Sequence, residues 1–409
     1  MDAVISNAKR GLGALLATAA CGAILAAAAA PAEAAVSGRH AAVKGDAMWI
    51  WNLDRSSGGS PAAIAAKAKA RGIESVFVKA GDAGNVWSQF SSTLVKTLKA
   101  QGLYVCGWQY VYGRKPSAEA RAAIAAIKRG ADCFIIDAET EYKTKYKNAS
   151  IYVKAIRKAV GAKYPLALST FPYVDYHPTF PYSVFLGPGA AQYNLPQVYW
   201  HTIGDSPKAS LEHTAFWNRP YGRQVMPVGQ LYPYPGRRFP SRQAILKFRR
   251  LAVSHGMQGV SWWSWEHAAK SGWKAVGPSP VTKIAGYSGV RGMPLLSKGG
   301  PKGDFVVWAQ QLLAAGGFFK GSLSYGFGNG TRKAVESFQK AKALAVTGKI
   351  DERTWKALLK LRANAVRFTD GNGSSPRLSR GGTLVSPEPR GSLPTRYEFP
   401  TALSGAGHR

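Results

Sequence analysis

Two carboxylates stand two residues apart in the segment FIIDAETEY, at Asp137 and Glu139. The residues before them are apolar and β-branched, so a strand is expected there, and its period-two geometry turns both side chains to the same face. Neighbouring carboxylates in a partly desolvated cleft repel each other, so one keeps its proton toward neutrality and can serve as a general acid. A proton donor beside a second group that stabilises or traps an oxocarbenium-like centre is what breaking a glycosidic bond requires. Glu139 and Asp137 are therefore the candidate catalytic residues. A lone D-x-E is a short motif, and its weight comes from where it falls in the chain.

From Asp46 to about Ala268, short apolar or aromatic runs alternate eight times with amphipathic Ala/Lys/Arg segments. The strand-like runs are Met48–Leu53, Ser75–Lys79, Leu103–Tyr110, Cys133–Asp137, Leu166–Phe171, Gln197–His201, Val225–Gln230 and Gly259–Trp263. Ser60-Pro61 and Pro116-Ser117 are helix-start signals between them. Strand, helix, strand at this spacing gives a parallel sheet, and eight repeats without a GxGxxG turn favour a closed barrel. The expected fold class is α/β: a (β/α)8 TIM-type barrel over residues 44–275, followed by a small three-helix C-terminal domain. Asp137 and Glu139 then end the fourth strand, on the barrel face where such folds carry their chemistry. The polar and aromatic residues that close the other strands are candidates for substrate binding: Trp51, Asp54, Tyr199, Gln230, Trp265 and Glu266. Flat indole and phenol rings suit the faces of sugars, although about half of the strand aromatics must instead pack beneath the helices.

The D-x-E at the end of strand four resembles that of the family 25 lysozyme-like hydrolases and, more loosely, the family 18 chitinase-like barrels. The resemblance implies that Glu139 is the acid/base and that Asp137 orients a substrate acetamido group whose carbonyl is the internal nucleophile. It implies no metal or cofactor. Family 25 enzymes carry an Asp at the end of strand one; here WIWNLDRS offers Asn52 or the later Asp54. Strand eight, GVSWWSWEHA, is close to neither family, and its Glu266 is either a second acid or a surface carboxylate.

Residues 276–294 are rich in Gly, Pro, Ser and Lys and read as a linker. A compact unit follows over 295–361, with three short helices expected at Phe305–Ala315, Thr331–Lys342 and Asp351–Leu361. Their apolar stripes (Trp308 and Leu312; Val335 and Phe338; Trp355, Leu358 and Leu359) form a core, and Asp351 is a good N-cap. The stretches KGDFVVWAQQLL, GFGNGTRKAVESFQ and GKIDERTW resemble the peptidoglycan-binding module of wall hydrolases, which binds without catalysis. Residues 362–409 are Arg, Ser, Gly and Pro with few large apolar side chains, a composition expected to stay disordered as a basic tail.

Compartment and partners follow from the ends of the chain and its charge. Lys9 and Arg10 precede an apolar run from Gly11 to Ala30, and Ala32, Glu33 and Ala34 supply a peptidase-type site. Residues 1–34 read as a signal peptide, leaving no stable membrane span after cleavage and a secreted, wall-associated location. The net charge of +32, from 54 Lys+Arg against 22 Asp+Glu, predicts attraction to anionic envelope polymers. The basic residues are spread along the chain without a zinc-finger or RNP-type motif, so no specific nucleic acid is expected. The seven His show no ligand spacing, and no metal site is expected. Cys106 and Cys133 fall on consecutive strands, where a disulfide and two buried thiols are both open. The expected partner is peptidoglycan or another cell-wall glycan, cleaved by the barrel or, in the rival reading, only bound by it.

Overall fold

The computed structural model describes residues 38–234, 238–277 and 281–361. The expected signal peptide (1–34) and basic tail (362–409) lie outside these residues. Eight parallel strands form the barrel: β1 Gly45–Ile50, β2 Ser75–Asp82, β3 Tyr104–Val111, β4 Cys133–Ala138, β5 Leu166–Thr170, β6 Tyr193–Pro196, β7 in two pieces (Gln224–Val225 and Val228–Gln230) and β8 Gly259–Trp263. The first piece of β7 pairs with β6 and the second with β8. Pro227, which lacks an N–H, stands between them. A parallel bridge from Gln197 to Val228, just past the end of β6, and the β1–β8 register beginning at Gly45 and Gly259 close the ring.

Both faces of such strands are covered, so β4 reads as an unbroken apolar run. Phe134, Ile136 and Ala138 turn outward into the core beneath the helices, and Cys133 and Ile135 turn inward with Trp49, Phe77, Trp108, Leu195 and Val228. Cys106 and Cys133 are directly in register on β3 and β4, both inward, with Cα atoms 4.6 Å apart, and they form a disulfide. That settles what the sequence left open, because side chains leaving two strands at one level toward the barrel axis converge closely enough to bond.

The longer helices are α1 Pro61–Lys69, α2 Ser92–Ala100, α3 Pro116–Lys128, α4 Tyr146–Val160, α5 Pro207–Asn218 and α6 Arg242–Ser254 in the barrel, then α7 Asp304–Ala315, α8 Asn329–Ala341 and α9 Glu352–Leu358. Ser60 caps α1 through Ala63 N, and Asp351 caps α9 through Thr354 N at 2.8 Å. After β5 the chain makes only the short helical turns Val174–Tyr176 and Tyr182–Phe185, and α7 packs on the second. Asp304 N donates to Pro178 O at 2.8 Å, Trp308 Nε1 donates to Pro220 O at 2.7 Å, and the Phe305 ring lies 5.2 Å from that of Trp217 on α5. Ten successive residues of α7, Asp304 to Leu313, are buried. An ordinary surface helix buries one stripe; α7 is covered on one side by the barrel and on the other by α8 and α9.

The stretch read as a linker is pinned to the barrel where it is described. Ile284 N donates to Ser254 Oγ, the Tyr287 hydroxyl donates to Glu212 on α5, and Arg219 donates to the carbonyls of Val290 and Gly292.

Candidate active site

The candidate site lies at the mouth of the barrel, the carboxyl ends of the strands. Its floor is a cluster of indoles, Trp49, Trp108 and Trp263, packed edge to face with centroids 5.4 to 5.6 Å apart. Trp49 Nε1 donates to Ser261 Oγ and Trp108 Nε1 to Ile50 O, so their polar edges are satisfied within the barrel wall. Above this floor stand Asp137, buried, and Glu139, half-buried. One amide nitrogen holds both: Gln197 Nε2 donates to Asp137 Oδ1 at 2.9 Å and to Glu139 Oε1 at 3.0 Å, and lies 3.3 Å from Ser169 Oγ.

Burial raises the Asp137 carboxyl well above the ordinary range; the neighbouring Glu139 raises it further, and Lys79 opposes both. Glu139 is raised to about 7, chiefly by burial, with the Gln197 hydrogen bond pulling down and Glu141 pushing up. A carboxyl poised near neutrality and open on one side can donate a proton at working pH. Tyr110 donates to Glu141 Oε2 at 2.9 Å; burial, with Glu139 and Asp137 beside it, keeps its phenol protonated.

The other sequence candidates separate. Trp51 is half-buried at the mouth beside the floor indole Trp263, with centroids 6.2 Å apart. Tyr199 is buried in the inner core against Tyr232. Asp54 stands exposed on the rim. Gln230 is fully buried and spends its amide on backbone, accepting from Thr202 N and donating to Tyr232 O. Glu266 Oε1 accepts from the backbone N–H of Trp51 and Asn52, so this carboxylate clamps the loop after β1. Trp265 does not reach the mouth: it lies in the helix layer against Trp273, with Lys67 of α1 over its ring. The physical reason is that β8 ends at Trp263, so strand alternation does not carry on to Trp265.

Two groups of the mouth were not among the sequence candidates. Gln197 is inward-facing in the alternation Tyr193, Leu195, Gln197, Tyr199, a signal hidden because strand six was expected four residues late. Lys79, the last residue of the second expected strand, is buried, with its ammonium 2.7 Å from Asp82. Among the described residues no group of three or more His, Cys, Asp or Glu is placed to hold a metal.

Residues 302–358 match the family described as "Putative peptidoglycan binding domain", which covers α7 to α9. No curated protein matches the chain. Among solved structures, the spore cortex-lytic enzyme SleL of Bacillus cereus is similar at 10% identity and TM-score 0.44, over 61% of this chain and 76% of that one. The catalytic domain of a hyperthermophilic chitinase from Pyrococcus furiosus gives 10% and 0.44 over 57% and 93%. The chitinase-like agglutinin of Robinia pseudoacacia gives 10% and 0.42 over 56% and 98%. Among the described residues no helix is long and apolar enough to cross a membrane.

Proposed function

We propose that the protein is an exported glycan hydrolase of the cell wall, with peptidoglycan as its substrate and α7 to α9 holding it there. The observation that carries the reading is the Gln197 amide bridging Asp137 and Glu139 above an indole floor. It keeps two raised carboxyls together while leaving Glu139 partly open. Glu139 protonates the leaving glycosidic oxygen. Asp137 orients the substrate's acetamido group, whose carbonyl closes on the anomeric carbon, and Glu139 then takes a proton from the water that opens that intermediate. Glu266, committed to the backbone of Trp51 and Asn52, shapes the mouth and does not act as a second acid. The buried Cys106–Cys133 disulfide supports an oxidising, extracytoplasmic location.

The test is incubation of the mature protein with purified peptidoglycan and analysis of the released fragments, with Glu139→Gln and Glu266→Gln in parallel. The amide keeps the side-chain shape but cannot deliver the proton, so Glu139→Gln should lose roughly 10²- to 10⁴-fold in rate with wall binding retained. Glu266→Gln should lose far less. Equal cleavage by the parent and Glu139→Gln would sink the assignment. Release of nothing by the parent from any wall preparation would make the barrel a glycan-binding one.

A further inference from the structure

We propose that Glu141 sets the charge selectivity of the mouth: it receives a free amino group of the glycan, so the site prefers hexosamine strands with unacetylated amines near the scissile bond over fully N-acetylated ones. The proposal rests on reading this mouth as a glycan-cleaving site.

Glu141 follows Glu139 by two residues, in the short helical turn Thr140–Tyr142 that leaves β4. One bond fixes its place: the Tyr110 hydroxyl donates to its Oε2 at 2.9 Å. Tyr110 belongs to the inward set of β3 and is level with Asp137 in the β3–β4 register. The phenol thus draws Glu141 to the β3 side of the pair, while Gln197 holds the pair from beyond β6. Glu141 is half-buried. Among the described residues that neutral hydroxyl is its one side-chain partner, and no Lys, Arg or His pairs with it. A partly desolvated carboxylate with only a neutral donor leaves its charge unanswered, and a charged donor serves it about twice as well.

The surroundings select the sign of what can answer it. Asp82 is level with Tyr110 at the same mouth, beside Asp137 and Glu139, and the ammonium of Lys79 is spent on Asp82 at 2.7 Å. A cleft lined by carboxylates repels a sugar that carries a carboxylate and draws in a cation. Lys79 shows that this mouth accommodates an ammonium, since its Nζ lies 4.9 and 5.6 Å from the ring centroids of Trp108 and Trp51. Indole faces attract cations. The chain as a whole carries a net charge of +32, so the acidic mouth runs against the charge that brings the protein to an anionic wall. Body and mouth therefore meet different groups. In a glycan of amino sugars, the cation on offer is an amine without its acetyl group.

The experiment uses the full chain carrying Glu139→Gln, which suppresses turnover, and two chitooligosaccharides of equal length, one fully N-acetylated and one partly N-deacetylated. Binding is measured by isothermal titration below neutral pH, where the amines are charged. The amine-bearing oligomer should bind about tenfold more tightly, the order of one charge-assisted hydrogen bond, and that margin should shrink as salt is raised. Adding Glu141→Gln, which can still accept from Tyr110, should erase the margin and leave the acetylated oligomer's affinity little changed. Binding by α7 to α9 would be the same in each variant. Tyr110→Phe keeps the ring but releases Glu141, and it should cut the margin severalfold. Equal binding of the two oligomers, or of neither, overturns the proposal, as does a margin that survives Glu141→Gln. If Glu141→Gln does not fold, Tyr110→Phe decides, and an undiminished margin there overturns the idea. A parent that cleaves no wall preparation while the margin depends on Glu141 loses the proposed function and keeps this inference; one that cleaves peptidoglycan without the margin does the reverse.

Discussion

The hydroxyl of Tyr146 donates to Asp304 Oδ1 at 2.6 Å, joining the first residue of α4 to the first residue of α7. Asp304 is fully buried and accepts three further bonds, from Ser183 N, Ser183 Oγ and the Tyr221 hydroxyl, at 2.7 to 2.9 Å. Burial still outweighs those four donors and raises its carboxyl to about 6. A folded-state value above the unfolded one means that this group's stabilisation is complete below about pH 4 and is lost as pH rises through about 6. By linkage the difference is on the order of 3 kcal/mol. Thermal melts of the parent should therefore show a stability component that declines between pH 4 and pH 7. Asp304→Ala should abolish that component and cost about 3 kcal/mol or more, because Tyr146, Ser183 and Tyr221 are left with buried, unanswered donors. A parent-minus-variant difference that is flat across this window would contradict it.

Because α7 packs on the helical turn Tyr182–Phe185 that follows β5, and its Phe305, Trp308 and Asp304 meet Trp217 and Tyr221, cutting the chain after Pro294 uncovers that turn, Trp217 and Tyr221. The full chain should melt in one cooperative transition. A fragment of residues 38–294 should lose near-ultraviolet circular dichroism and expose apolar surface, and a fragment of 295–361 should melt broadly, since the outer side of α7 has no partner. A sharp, independent transition in the shorter fragment would show that the module needs no barrel.

The fold was legible where pattern and burial agree. β4 starts and stops within a residue of the expected run, and the three C-terminal helices fall within three residues of their expected ends. β6 was misplaced because YNLP contains Asn194 and Pro196, poor strand residues, whereas Val198, Tyr199 and Trp200 look like strand but lead into a helical turn. In β6, tertiary pairing overrode propensity. The pair Asp137 and Glu139 was readable from alternation alone. The roles of Glu266, Gln230 and Trp265 were not, because each depends on where the chain turns after its strand.

Gln197 sets the poise of the pair through a hydrogen bond that lowers Glu139. Gln197→Leu removes the donor and keeps the bulk, so the Glu139 midpoint should rise above about 7 and the alkaline limb of the cleavage profile should move to higher pH. The rate should fall about tenfold, as the two carboxyls lose the group that orients them. An alkaline limb that stays in place would show that Gln197 only packs.

Trp51 and Trp265 lie on opposite sides of the barrel wall, and their substitutions should fail in opposite ways. Trp51 is half-buried at the mouth. Trp51→Ala should weaken glycan binding by about 1–3 kcal/mol, the range of a lost stacking platform, with a small change in melting temperature. Trp265 is buried between Trp273 and the Lys67 side chain, so Trp265→Ala opens a cavity in the helix layer and should cost about 3–5 kcal/mol of stability. The folded fraction of that variant should bind glycan as the parent does, because its ring never faces the mouth. Isothermal titration with soluble wall fragments, paired with melting curves, separates the two effects. If Trp265→Ala were as stable as the parent but lost binding, the position of that ring in the helix layer would be wrong, and with it the end of β8 at Trp263.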